Sequence, residues 1–218
     1  MTNSKYRHII WDWNGTLFND AWLSVEIMNG LLRKRNMPEI TLERYAELFD
    51  FPVIGYYQRL GFNLDREPFE ELGTEFIVGY EKRKRECELQ PGAIDVLQAI
   101  SARQISQSIL SAYKQDALDE LLVHFNLWRY FIRAIGLDDH YAAGKKENGV
   151  MLISQLPYDP GEVLFIGDTV HDYDVSKEIG IDCVLIPSGH QPISKLESCG
   201  VPVLCSLRDI PQFLFISH

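Results

Sequence analysis

HIIWDWNGTLFND, residues 8–20, runs from an apolar segment into Asp12 and then meets Asn14 and Gly15. Asn-Gly between apolar segments is the strongest short-range signal for a hairpin turn. Residues 21–32 beyond it carry helical rather than alternating spacing, so the stretch reads instead as a strand ending in a tight loop. Asp12 then stands at the strand's carboxyl end, the edge of an open α/β sheet where ligands bind.

Working outward, short apolar runs recur, each followed by a polar turn and a helical pattern. They are YRHIIW (6–11), ISQSILS (105–111), YFIRAIG (130–136), EVLFIG (162–167), DCVLIP (182–187) and VPVLCS (201–206). Strands alternating with helices predict βαβ units with right-handed crossovers, hence an α/β fold with a doubly wound, mainly parallel, Rossmann-like sheet. Residues 12–104 are too many for one crossover. Within them, 21–86 show helical spacing (Leu23, Ile27, Leu31; Phe69, Leu72, Phe76, Tyr80) and no strand, which predicts an inserted helical domain. QPGAIDVLQAISAR (90–103), a Pro-Gly turn before helical spacing, returns the chain. The expected division is a core of residues 1–20 and 87–218 and a helical domain of 21–86.

The 218 residues, 46% hydrophobic and 24% charged, are enough for one sizeable core with a smaller appended unit. No apolar run approaches the roughly 20 residues that cross a bilayer, and MTNSKYRH lacks the apolar stretch of a secretory signal, so the expectation is a cytoplasmic protein without membrane contact. A net charge of −10 argues against nucleic acid as partner, because such binding rests on a basic face. The basic run EKRKRE (81–86), with glutamate at both ends, reads as a solvated helix face. Four cysteines without CxxC or a histidine at zinc spacing read as buried reduced thiols. Monomer and dimer remain equally open.

Polar residues gather at the expected strand ends: Ser111 after the second strand, Lys145 or Lys146 after the third, Asp168 and Asp172 after the fourth. Each has an ordinary alternative. Ser111 suits a helix cap, the lysines suit a surface, and Asp168, Asp172 and Asp174 suit a helix N-terminus. Their coincidence at consecutive strand ends favours one shared site. Asp12, Asp168 and Asp172 would repel one another there unless a cation sat among them, and hard oxygen donors favour Mg²⁺. A magnesium site beside a lysine and a hydroxyl suits a phosphate group and leaves Asp12 as a nucleophile.

DWNGT, ILSA, the GK at 144–145 and GDTVHD together resemble the four ordered motifs of the haloacid dehalogenase superfamily, in its phosphoglycolate-phosphatase-like branch with a helical cap. The resemblance implies a Mg²⁺-dependent phosphatase acting on a small phosphorylated substrate through an aspartyl-phosphate. By the same resemblance Asp12 is the nucleophile, Ser111 binds the transferring phosphoryl and Lys145, rather than Lys146, clamps its charge. Asp12, the backbone carbonyl of Asn14, Asp168 and, further out, Asp172 would hold the metal. Asn14, Gly15, Ser111, Ala112 and Lys145 would face the substrate. Two positions depart from the pattern: Ala112 replaces a usual asparagine, and Asn14 replaces the aspartate that protonates the leaving oxygen. An amide cannot shuttle a proton, and general acid–base assistance contributes ~10²–10⁴-fold.

Three readings follow. One is a phosphohydrolase for substrates whose leaving group needs little protonation, such as acyl or aryl phosphates, or with His171 or a cap side chain relaying the proton. The second is a phosphate-binding regulatory protein without turnover. The third is a phosphonatase-like carbon–phosphorus hydrolase using Lys34. The helical insert is expected to cover the site and choose substrates, with Arg33, Tyr56, Tyr57, Gln58 and Arg59 as candidates to face it.

Overall fold

β1 (His8–Trp11) is buried along its whole length, as a central parallel strand must be. The computed structural model describes residues 4–137 and 144–215. In it β1 lies in a five-stranded parallel sheet with β4 (Ser106–Lys114), β5 (Arg133–Leu137), β6 (Val163–Gly167) and β7 (Asp182–Leu185), in the order β5-β4-β1-β6-β7. Trp11 stands opposite Ile109 on one side and Ile166 on the other. Chain order reverses across β1, so the crevice at the carboxyl ends of β4, β1 and β6 is the topological switch point of the sheet.

Strand periodicity splits the core between two faces. Ile9, Trp11, Leu164 and Ile166 pack with α5 (Ala93–Ser101), α6 (Gln115–His124) and α10 (Ile210–Phe215). Ile10 and Phe165 face the other way, onto α7 (Lys145–Ser154) and α8 (Val170–Ile179).

After β1 the chain turns back at Asn14, which bridges to Phe18, and enters β2 (Phe18–Asn19). β2 pairs antiparallel with β3 (Glu88–Leu89). Between these two short strands run α1 (Ala21–Lys34), α2 (Leu42–Leu48), α3 (Val53–Leu60) and α4 (Phe69–Arg83). The ribbon therefore draws the two ends of the helical segment together. The segment has its own apolar cluster, including Met28, Leu32, Tyr45, Tyr56, Tyr57 and Leu72. Each such side chain contributes about 1.5–3 kcal/mol by leaving water.

Some expectations need correction. Residues 201–206 form no strand: Val203 makes only an isolated bridge to Leu185, because Pro202 has no N–H with which to extend a ladder. The second strand runs on past Ser111 to Lys114 through an irregularity after Leu110. EKRKRE is not a solvated face throughout. Lys84 is buried, donating to Glu81 and to Glu120 of α6, while Arg83 pairs with Glu26 and Glu86. All four cysteines are free thiols, but Cys205 is exposed and Cys199 only half-buried. Among the described residues no helix is long and apolar enough to cross a membrane.

Candidate active site

The end of β1 delivers Asp12, whose N–H donates to the Ile166 carbonyl of β6 at 2.9 Å. The next turn needs Gly15. Its φ is +79°, and a Cβ there would lie 2.3 Å from Asp168 Oδ2 and 2.7 Å from His190 Cδ2. This close approach lets Thr16 Oγ1 sit between Asp12 Oδ2 at 3.2 Å and Asp168 Oδ1 at 2.9 Å.

At the end of β6, Thr169 caps α8 in a reciprocal box with Asp172. Asp172 Oδ2 accepts from the N–H groups of Asp168 and Thr169 and from the Thr169 hydroxyl. The helix-capping role considered for Asp172 is thus real, and it leaves Oδ1 free for other work. That oxygen accepts from Lys145 Nζ at 2.6 Å, and the same ammonium reaches Asp12 Oδ1 at 2.5 Å. Lys145 is the first residue of α7, entered through Gly144 at φ +110°, and its side chain is buried, whereas Lys146 is exposed. Ser111 is buried in β4 and its Oγ accepts from the Tyr113 N–H.

Asp12, Asn14, Ser111, Ala112, Lys145 and Asp172 line one cavity of about 460 Å³ between the sheet edge and the helical segment. Asp168 lies behind it, fully buried. Gly15 does not present a free N–H to this space: its N–H points to Asp20 and the Phe18 carbonyl, and its carbonyl accepts from Gln90 and Ser188. The expectation that Gly15 faces a substrate therefore fails, because the turn that needs glycine also consumes its hydrogen-bonding groups.

Burial raises the Asp12 carboxyl to about 6, with Asp172 adding to the rise and Lys145 opposing it. Burial likewise raises Asp168 to about 8, opposed by His190 and reinforced by Asp12 and Asp172. For Asp172 burial also pushes upward, but Lys145 and Thr169 outweigh it and hold the group below the usual carboxylate range. One oxygen from each of Asp12, Asp168 and Asp172 lies within 4.8 Å of the others. Three hard oxygen donors and more buried negative charge than Lys145 alone offsets, enough to raise two of the carboxyls above their ordinary range, suit a divalent cation. These three residues could hold a metal ion.

Asn14 belongs to a second buried network. Its Nδ2 donates to Asp20 Oδ2 at 2.9 Å and to Tyr80 Oη at 3.0 Å, and the Tyr80 hydroxyl donates to the same Asp20 oxygen at 2.7 Å. The other oxygen of Asp20 is 3.4 Å from His190 Nε2. His190 shares a hydrogen bond of 2.7 Å with Tyr45 through Nδ1 and donates its backbone N–H to Asp168 Oδ2 at 2.7 Å. Burial works against the charged form of His190, but Asp20 outweighs it and raises the imidazolium to about 9. Thr16, Asp20, Tyr45, Tyr80 and His190 are not among the site residues expected from the sequence, where Tyr80 counts only toward helical spacing. Thr16 and Asp20 lay inside the opening stretch, and His190 follows the DCVLIP run in a Ser-Gly-His turn, a legible signal. Tyr45 and Tyr80 carried none.

The remaining candidates divide. Tyr56 and Tyr57 line the cavity, whereas Gln58 and Arg59 are exposed and Arg33 pairs with Glu39. Lys34 is exposed and paired with Glu75. Among the described residues the only lysine lining the cavity is Lys145, so Lys34 is not placed for a Schiff base. His171 lines the cavity, stacked on Phe51 at 4.4 Å, and its Nε2 has no partner among the described residues.

A family model described as haloacid dehalogenase-like hydrolase matches residues 9–186. Among curated relatives, Phosphoglycolate phosphatase 1 of Pseudomonas aeruginosa is 22% identical, over 94% of this chain and 78% of its own length. N-acetylmuramic acid 6-phosphate phosphatase of the same organism is 21% identical, over 87% of this chain and 85% of its own. A haloacid dehalogenase-like family hydrolase from Streptococcus pneumoniae superposes with a TM-score of 0.79 at 16% identity, covering 96% of this chain and 98% of its own. Protein Tyrosine Kinase A of Mycobacterium tuberculosis superposes with a TM-score of 0.80 at 19% identity, covering 98% and 100%. These two likenesses show the fold. With the motif-bearing sheet edge, the family match over most of the chain and phosphatases among its relatives, this chain belongs to the haloacid dehalogenase-like hydrolase family.

Proposed function

We propose that the chain is a Mg²⁺-dependent phosphatase for a small phosphomonoester or acyl phosphate, working through an aspartyl-phosphate on Asp12. One observation carries the reading: Asp12, Asp172 and Lys145 meet within hydrogen-bond distance, with Asp168 behind them and Ser111 on the same cavity.

Asp12, Asp168, Asp172 and the Asn14 carbonyl would hold Mg²⁺, which would supply positive charge to the phosphoryl oxygens. Asp12 attacks phosphorus, the ester P–O bond breaks, and the leaving oxygen takes the electron pair. Lys145 and Ser111 hold the transferring group, and water then cleaves the acyl-phosphate to return the Asp12 carboxylate and inorganic phosphate. Asn14 cannot give the leaving oxygen a proton, so leaving groups that are stable as anions react fastest. The helical segment 21–86 acts as a cap on the core of 1–20 and 87–218, keeping bulk water from the reacting atoms.

The test is hydrolysis of acetyl phosphate and p-nitrophenyl phosphate against glycerol phosphate, with Mg²⁺ and with chelator. Hydrolysis should need the metal, vanish in Asp12→Asn and be slowest on glycerol phosphate. Phosphate binding without turnover of any substrate would favour the regulatory reading instead.

A further inference from the structure

We infer that the ester taken by this site carries an uncharged aromatic group. The inference rests on the phosphatase reading above and names its substrate class.

Beyond the phosphate end, the cavity is walled by aromatic side chains from the helical segment and the loops between its helices. Tyr45, Phe49, Phe51, Tyr57, Phe69 and Phe76 all face it. Its rim is apolar as well: Ile54 and Val78 line it and are among the exposed large hydrophobic residues of an otherwise acidic protein. A volume of about 460 Å³ falls within the roughly 300–1,000 Å³ of small-molecule sites. It holds a phosphate with an attached ring, which would meet the walls in stacked or edge-to-face contact.

Charge decides against the alternative. A carboxylate or second phosphate on the substrate would need a cation in the wall. Among the described residues lining the cavity the basic groups are Lys145, committed to Asp12 and Asp172, and the two histidines. His190 is committed to Asp20 and Tyr45, and the His171 ring is stacked on Phe51 at 4.4 Å. The arginines and lysine of the helical segment that were candidates to face the site turn outward onto Glu39, Glu75 or the Leu48 carbonyl. A buried carboxylate would be left unpaired. Among the described residues the Tyr56 hydroxyl is buried on the cavity wall without a hydrogen-bond partner, suited to a hydroxyl or carbonyl substituent on a ring.

Asn14 points the same way by an independent route. When Asp12 forms its bond to phosphorus and the aryl P–O bond breaks, the electron pair stays on a phenolate that its ring stabilises, and no proton from residue 14 is required.

The test compares two non-hydrolysable ligands by calorimetry in Mg²⁺: benzylphosphonate, shaped as phenyl phosphate, and 3-phosphonopropionate, shaped as phosphoglycolate. Benzylphosphonate should bind at least tenfold tighter. Equal or weaker binding, or no binding of either, overturns the inference. Gly73 lines the cavity within α4, and a Cβ added there meets nothing within 4 Å, so Gly73→Leu enters without a clash at its Cβ and narrows the cavity. It should cut the ratio of benzylphosphonate to inorganic phosphate affinity at least fivefold, and an unchanged ratio counts against the cavity. Selective benzylphosphonate binding with no hydrolysis of any aryl phosphate would sink the phosphatase reading while leaving the ligand class standing. Turnover that favours 3-(4-phosphonooxyphenyl)propanoate over 4-propylphenyl phosphate, which differ only in a terminal carboxylate, would do the reverse.

Discussion

Replacing Asn14 with aspartate should create the general acid that this site lacks, and the surrounding network sets how. The Asn14 amide nitrogen is 2.9 Å from Asp20 Oδ2. A carboxylate oxygen in its place would repel Asp20 by about 6 kcal/mol at an effective dielectric constant of roughly 20. That equals roughly four pKa units, enough for the pair to keep one proton through neutral pH, although the His190 imidazolium beside Asp20 offsets part of it. A retained proton beside the cavity is what an alkoxide leaving group needs. Asn14→Asp should therefore raise kcat on ethyl or glycerol phosphate by ~10²-fold, the lower end of general-acid assistance, and change kcat on p-nitrophenyl phosphate less than about tenfold. The assay is kcat on both substrate classes from pH 5 to 9 in Mg²⁺. Mass spectrometry must first show that Asn14-Gly15 has not deamidated in the starting protein. The folded pair binds a proton that the unfolded chain releases near pH 4, so the variant's added stability is present at low pH and lost as pH rises through the pair's raised value. Equal rate gains on both classes, or none on either, would refute the argument.

Two further outcomes test the site. Lys145→Met leaves Asp12 and Asp172 as unpaired buried carboxylates; it should abolish turnover and cost about 3–5 kcal/mol in metal-free urea unfolding, whereas Lys146→Met on the exposed neighbour should shift stability by less than about 0.5 kcal/mol. His190 is raised to about 9 by Asp20 against the opposing effect of burial, so its stabilising contribution is complete below the ordinary histidine range and lost as pH rises through 9. Thermal unfolding between pH 6.5 and 9.5 should show that loss, and His190→Asn should flatten it.

Much of the architecture was legible because it rests on local rules. The buried apolar run before Asp12, the helical spacing of 21–32 and the short runs at 105, 130, 162 and 182 each report a strand or helix through side-chain period alone. VPVLCS misled for the same reason: hydrophobic content without regard to Pro202 looks like a strand. EKRKRE misled because nothing near it in sequence announces Glu120, the partner that allows Lys84 to be buried.

Sequence alone put Asp12 and Asp168 directly after strands and Ser111 and Lys145 near the same edge, through alternation, turn residues and right-handed crossovers, although β4 runs on past Ser111 to Lys114. Tertiary structure alone decided which lysine meets the carboxylates, that Asn14 is tied to Asp20 and Tyr80, and that an aromatic cavity faces the site. Those facts depend on side chains such as Asn14 and Tyr80, or Tyr45 and His190, meeting across long sequence separations. Their meeting is set by packing and by the need to satisfy buried polar groups, which no periodicity encodes.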